Sequence, residues 1–411
     1  MSLVLNTNIS SLQAQNNLTK SSSELSTATE DLSSGLKVNT AADNAAGYAI
    51  ATRFQTQIGG LSQASENASD AINLAQTAGS ALSQITSNLQ SIRDLAVQAA
   101  NGTYQASDRS AINTSVQQYL SEITRIANQT TFNGTNVLNG STSSLSFQIG
   151  ANVGQSINVQ LGQGVTTGQV GQISEISTGD ISGAFVNASG VSGSSISLSG
   201  LSITGADGTS YTFSGTSTAT SAQDLADDIN AAGINGVSAA VNASGGINIY
   251  STGELSVKGA ALTGANGSGF NLTTGAVAYG ASGLGNAASG LAATGVTYTD
   301  GGTLSASGSL AGGDVLTVDD ANQLISRIDA ALTTVSNFSS TLGAVQNRFQ
   351  STISTLSAQQ TNLTSSQSSI QDTDFAATTA QLSQAQVLQQ AGISVLATAN
   401  SEPQNILKLL Q

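Results

Sequence analysis

Histidine, cysteine and tryptophan are absent from the 411 residues, and methionine and proline occur once each. Without His and Cys there is no imidazole base, no thiol nucleophile, no Cys/His zinc site and no disulfide. Stability must therefore come from packing and not from cross-links. Cations are also scarce: ten Lys and Arg face twenty-four Asp and Glu, for a net charge of −14 and a pI near 4.1. That balance argues against nucleic acid as a partner, because phosphate binding draws on clustered Lys and Arg. Nine of the ten basic residues lie in the outer parts of the chain, while 126–326 holds Lys258 against eleven acids, a net of −10. A solvated surface is the simplest use of such a region. Long apolar runs are missing too. No stretch approaches the ~18 residues needed to cross a bilayer, so no membrane role is expected. The opening MSLVLNTNISSLQAQ has neither a basic n-region nor a continuous apolar h-region, and the expectation is secretion, if any, without a cleaved signal peptide.

What is present is apolar spacing that alternates three and four residues, the period of helices packed along a seam. One series runs Ala14, Leu18, Ser21, Leu25, Ala28, Leu32 and a second Ala75, Ala78, Leu82, Ile85, Leu89, Ile92, Ala96, Ala99. A third runs Ile112, Val116, Tyr119, Ile123, Ile126. Toward the C-terminus come Leu324, Ile328, Ala331, Val335, Phe338, Leu342, Val345 and Phe349, with the same phase reaching Leu356, Leu363 and Ile370. A Pro-free helical run of about 75 residues, at 1.5 Å each, makes a rod on the order of 100 Å. A rod with one apolar stripe must bury it, which predicts pairing of the N- and C-terminal series; an ordinary intramolecular bundle has the same periodicity.

Between the helical ends, roughly 132–300, Gly, Ser, Thr, Ala and Asn dominate and apolar residues alternate singly. Leu145, Phe147 and Ile149, then a turn with Gly150, Asn152 and Gly154, then Ile157, Val159 and Leu161 predict a β-hairpin. Ser221 can cap a short helix through Ile229, with Asp224 as an acidic N3 residue, followed by strands at 237–241 and 246–250. Disorder is the other reading of so Gly- and Ser-rich a region; the regular alternation and aromatics such as Phe185, Tyr211, Phe213 and Tyr250 favour a small β-rich domain.

Several stretches then carry a resemblance. SSGLKVNTAADNAAGYAIATRF (33–54), LQSIRDLAVQAANGT (89–103) and RIANQTTFNGTNVLNG (125–140) resemble the N-terminal half of bacterial flagellins, and NRFQSTISTLSAQQTNL (347–363) and QAQVLQQAGISVLATANSEPQNILKLL (384–410) resemble their C-terminus. The resemblance covers about 1–165 and 315–411, and residues 221–254 are similar to an insert motif of the flagellin variable region. It implies an α+β fold: a long antiparallel helical rod or coiled coil of paired terminal segments, with a β-hairpin and a β-rich variable outer domain inserted in the middle. The implied domains are 1–44 with 370–411 as the terminal coiled-coil inner domain, 45–175 with 305–369 as the helical rod, and 176–304 as the outer domain. It further implies a non-enzymatic subunit that is exported unfolded by type III export, folds its termini on assembly and polymerises with itself into the extracellular filament that drives swimming. A flagellar export chaperone, the filament cap and the hook-junction proteins are the implied partners, and no cofactor is expected.

The inner-layer seam is assigned to Leu18, Leu25, Leu32, Leu382, Leu388 and Leu396, and the rod seam to Leu82, Ile85, Leu89, Ile92, Leu324, Ile328, Val335, Phe338 and Leu342. The resemblance also implies recognition by Toll-like receptor 5 through Gln90, Ser91, Arg93, Leu95, Gln98 and Ser115. The family's receptor-active pattern is LQRVRELAVQ where this chain has LQSIRDLAVQ, so Ser91 replaces an arginine. Ser115 stands where such members usually carry a glutamate, and weakened recognition is expected. Three other readings stand beside this one. A zinc peptidase in the outer region needs two histidines, and the chain has none. Adjacent acids such as Asp227 with Asp228, or Asp319 with Asp320, point apart and serve better as caps. A hook–filament junction protein, or a flagellin homologue whose outer domain binds a glycan or host ligand, are the remaining alternatives.

Overall fold

The computed structural model describes residues 8–185, 195–259, 261–263, 269–271, 277–278, 292–293, 296–297 and 303–409. Its contacts divide the chain into two compact units, one made of 1–69, 148–157 and 350–411, the other of 70–147 and 158–349.

In the first unit, helix α1 (Ile9–Ser34) starts at Asn8, whose side chain accepts from the Ser11 amide, and stops at Gly35 in the left-handed region, φ 75°. Asn and Gly are the residue types these two positions favour. Helix α2 (Ala45–Ala99) contributes its first half to this unit and its second half to the other. Helix α5 (Val318–Gln371) is likewise shared, and α6 (Phe375–Leu409) ends the unit. The expected unbroken run of about 75 residues is therefore interrupted at 372–374. No proline or glycine marks the break; Asp374 does, by accepting from the Ala376 and Ala377 amides (2.9 and 3.2 Å) as an N-cap. The same level is broken on α1. Leu36 forms an antiparallel bridge with Asp372, the Lys37 amide donates to Gln371 O (2.8 Å), and the Thr373 amide donates to Gly35 O (3.0 Å). α1 and α6 are thus antiparallel neighbours. Below the break, α2 meets α5 through Leu61 and Ala64 against Leu356 and Leu363.

The second unit is built on the rest of α2 and α5 with α3 (Ala106–Gln129). The predicted seams are buried: Leu82, Ile85, Leu89, Ile92, Ala96 and Ala99 on α2, and Leu324, Ile328, Ala331, Val335, Phe338, Leu342 and Phe349 on α5, none above 3% exposed. On α3 the stripe differs from the predicted one. Ile112, Val116, Leu120, Ile123 and Ala127 are buried, whereas Tyr119 is 36% exposed and Ile126 is half-buried. The buried residues are spaced four, four, three and four apart, so the position after Val116 is Leu120 and not Tyr119.

After α3, β1 (Thr131–Phe132) and β2 (Thr135–Asn136) close a two-residue turn, with Asn133 and Gly134 both at positive φ, 48° and 76°. Asn-Gly suits that turn because both positions need left-handed backbone. The predicted hairpin is β3 (Ser144–Gln148) paired with β4 (Ser156–Gln160). Ile157, Val159 and Leu161 are buried, and the Phe147 ring meets Phe349 edge-on at 5.7 Å and 78°.

The β-rich region follows. β5 (Ser174–Ser177) joins one sheet, and β6 (Ile196–Ser197) pairs with β9 (Thr218–Ala219). Between them in sequence, β7 (Ser202–Thr204) and β8 (Ser210–Thr212) form a hairpin. Helix α4 (Ala222–Ala231) is capped by Ser221, which accepts from the Asp224 amide, as predicted. β10 (Val237–Val241) and β11 (Ile247–Ser251) match the expected strands and continue the antiparallel order β10–β11–β5. β12 (Leu255–Lys258) pairs with β7. α4 buries Leu225, Ala226 and Ile229 in one cluster with Ile176, Ile203, Phe213, Ile247, Ile249, Leu255 and Val257. α5 is fastened to this region by Ala330 against Tyr250 and Ile173, by Gln323 Nε2 to Glu175 (2.5 Å) and by Arg327 Nη1 to Ser309 O (2.7 Å).

Candidate assembly surfaces

The face that α1 and α6 share is made of small residues. Ala14, Ser21 and Ala28 are buried on α1, and Thr378, Ala385 and Ala399 on α6, each within 8% exposure. The first set steps by seven, and the second by seven and then fourteen. Gly392 falls in the α6 phase, and Leu18 fills the space above it, 3.3 Å from where a Cβ would stand. The leucines assigned to this seam flank it: Leu18, Leu25, Leu32, Leu382 and Leu396 are half-buried, and Leu388 is 44% exposed. Polar clasps close the end, with Asn8 Nδ2 donating to Ala399 O (2.8 Å) and Ser11 Oγ to Asn400 Oδ1 (2.7 Å). The outer faces remain apolar and uncovered: Ile9 is 63% exposed, Leu12 57%, Val387 66%, Ile393 55% and Val395 57%. The sequence series already held Ala14, Ser21 and Ala28 of α1, but on α6 only leucines were assigned, and the seven-residue phase of Thr378, Ala385, Gly392 and Ala399 was the available signal.

The second surface lies on α2 and α3. Ser91, Asp94, Leu95 and Gln98 line a groove of about 630 Å³ with Ser115, Gln118, Tyr119 and Glu122. Of the six residues named for receptor contact, Ser91, Leu95, Gln98 and Ser115 are brought together there. Gln90 is exposed outside it. Arg93 turns instead to α5 and pairs with Asp329 (Nε to Oδ1, 2.7 Å), both side chains about 43% exposed. The Asp329 carboxylate's hydrogen bond and charge raise the Arg93 pKa. The Ser91 hydroxyl donates to Ser87 O within its own helix. On the rim, Glu122 is held below its ordinary value by the hydrogen bonds of Arg125.

Two buried polar atoms lack a partner among the described residues, Asn88 Nδ2 on α2 and Arg327 Nε on α5. Burial lowers the Arg327 pKa, and burial raises that of Tyr250, whose hydroxyl accepts from Asn248 Nδ2 at 3.0 Å. Glu175 lies near both groups, its charge opposing the shift of Arg327 and adding to that of Tyr250, and no group of three or more His, Cys, Asp or Glu among the described residues is placed to hold a metal.

Comparison with known proteins agrees at both ends. Residues 5–143 match the family profile of the bacterial flagellin N-terminal helical region, and 325–410 that of the bacterial flagellin C-terminal helical region. Among characterised relatives, a B-type flagellin of Pseudomonas aeruginosa is 35% identical and a flagellin of Salmonella typhimurium 36%, with all of this chain and all of each relative covered. Flagellin A of Vibrio cholerae is 37% identical, again over the whole of both chains.

Proposed function

The chain belongs to the bacterial flagellin family and is a structural subunit of the flagellar filament, and from that premise we propose how its terminal helices serve polymerisation. The observation that carries the proposal is the α1/α6 pair: a seam of small side chains inside, and Ile9, Leu12, Val387, Ile393 and Val395 exposed outside. An apolar face of that kind is covered when copies stack, and the small seam alone contributes little against the ordering cost of about 1–2 kcal/mol per residue. Folding of the termini is thereby coupled to assembly. In this reading 1–44 with 370–411 form the inner layer, 45–175 with 305–369 the rod and 176–304 the solvent-facing outer domain. The leucines Leu18, Leu25, Leu32, Leu382, Leu388 and Leu396 pack against neighbouring copies as well as along their own pair.

Export in the unfolded state fits a chain with no cysteine to cross-link, and an export chaperone, the filament cap and the hook-junction proteins complete the partners. The groove holding Ser91 and Ser115 is the proposed site of a weakened encounter with Toll-like receptor 5, its missing arginine and glutamate removing charged contacts that interfaces often rely on. The junction-protein and ligand-binding alternatives are not favoured, since the matches at both ends are to flagellin itself. The test is truncation. Chains lacking 1–30 or 385–411 are expected to stay soluble and folded yet to remain monomeric by sedimentation when seeded with filament fragments. Filaments built from either truncated chain would contradict the inner-layer assignment.

A further inference from the structure

Two stripes run along the first turns of α5. Leu324, Ile328, Ala331 and Val335 belong to the rod seam and are buried. Beside them, Asp319, Gln323, Ser326 and Ala330 step by four, three and four, so they share a second face of the same helix. Each of the four meets the β-rich region. Asp319 Oδ2 accepts from the Ala243 amide (2.9 Å), Gln323 Nε2 donates to Glu175, and Ser326 Oγ lies 3.2 Å from Ser238 Oγ. Ala330 packs on Tyr250 and Ile173, with Ala240 against the same cluster.

The strand register explains the match. Ser238 of β10 stands opposite Tyr250 of β11, and Tyr250 opposite Glu175 of β5, so the three form one cross-strand row on one face of the sheet. The adjacent row, Ala239, Ile249 and Ile176, points to the other face and into the cluster that holds α4. β11 is accordingly buried at all five positions, as a strand covered on both faces must be. The two chain crossings into this region are tied down as well. Ile173 bridges Ser307, and Arg327 Nη1 reaches Ser309 O because Gly308 has no Cβ, the place for one lying 2.6 Å from that nitrogen.

Domains joined by linkers ordinarily move against one another. Here the sheet face and the helix face match residue for residue over 319–330. We propose that the sheet β10–β11–β5 is a clamp that seats the outer domain on this face of α5, so that domain and helix move as one body and each copy presents the outer domain in a single orientation. The insert segment 221–254 thereby has a mechanical role, supplying two of the three clamp strands on one side and the α4 cluster that backs them on the other. The clamp lies outside the terminal helices and does not depend on the inner-layer reading.

The experiment uses the full-length chain, whose lack of cysteine lets two spin labels be placed through Asp227→Cys and Ser340→Cys, at exposed positions of α4 and α5. Pulsed electron spin resonance of the labelled monomer is expected to give one narrow distance distribution. Ala330→Glu, which sets a carboxylate against Tyr250, should widen it at least about twofold, while Ala330→Ser leaves it narrow. Ser238→Glu strikes the same contact from the sheet side, away from the rod seam, and should widen it with the far-UV circular dichroism unchanged. A broad distribution in the labelled parent, or one left narrow by both glutamates, would overturn the clamp. Either result, obtained with terminal truncations still unable to polymerise, would leave the inner-layer reading standing.

Discussion

Replacing Phe349 by alanine tests what holds the hairpin to the helices. Phe349 is fully buried on α5, and its ring meets Phe147 of β3 edge-on at 5.7 Å. Removing a buried phenylalanine costs about 3–5 kcal/mol, transfer and cavity together, of which the ring pair accounts for about 0.5–1.5. With a urea slope of roughly 3 kcal/mol per M, the unfolding midpoint of the full-length monomer should fall by about 1–1.7 M. Phe147 is half-buried, so Phe147→Ala should cost less, about 2 kcal/mol. The double variant discriminates. If the rings hold one another, its loss is smaller than the sum of the single losses by the ring-pair energy, a coupling that far-UV circular dichroism in urea resolves. A double loss equal to the sum, within about 0.5 kcal/mol, would show that the two rings are neighbours without being partners, and the hairpin's anchor would have to be sought in Val159 and Leu161.

In a Toll-like receptor 5 reporter assay, Ser91→Arg with Ser115→Glu is expected to lower the half-maximal dose about tenfold, and an unchanged dose response would mean the two serines do not limit recognition. Asp314 is raised above the ordinary 3.8 by burial first and by Asp320 second, so the native state holds its proton more tightly than the unfolded chain. Its contribution is full below pH 3.8 and is lost as pH rises through the folded value. Asp314→Asn should therefore raise the melting temperature at pH 7 and leave it little changed near pH 3, which a pH series of thermal melts would check. Deleting 176–304 should preserve filament formation, because the helical seams lie outside it, while lowering monomer stability where Ala330 loses Tyr250; failure to polymerise in electron micrographs would place required contacts in the outer domain.

Much of the fold was legible because the apolar spacing was strong and the caps were ordinary. Leu82 to Ile92 and Leu324 to Leu342 are buried in the phase their sequence sets, and Ser221 caps the helix it heads. The misses share a cause, which is that large apolar residues drew attention away from small and polar ones. On α3, Tyr119 has the right spacing for a seam residue, yet its neighbour Leu120 is the buried one, because the step after Val116 is four residues and not three. At 372–374 the run is broken where Asp374 caps the start of α6, an ordinary cap with no proline or glycine to mark it. In α6 the seam was assigned to Leu382, Leu388 and Leu396, while the buried positions went to Thr378, Ala385 and Ala399.

The seven-residue steps of Ala14, Ser21 and Ala28 and of Thr378, Ala385, Gly392 and Ala399 bear on how these two ends can change length over evolutionary time. One residue inserted into α1 alone would turn every position beyond it by about 100° around the helix and set bulkier side chains where the partner leaves room only for a methyl or a hydroxyl. Length can change without that penalty only in whole heptads, and only if the opposite strand of the pair changes by the same amount, so that the shared break at Gly35 and Asp372 stays level. The two ends of the gene are in that sense one unit of inheritance, separated by everything in between.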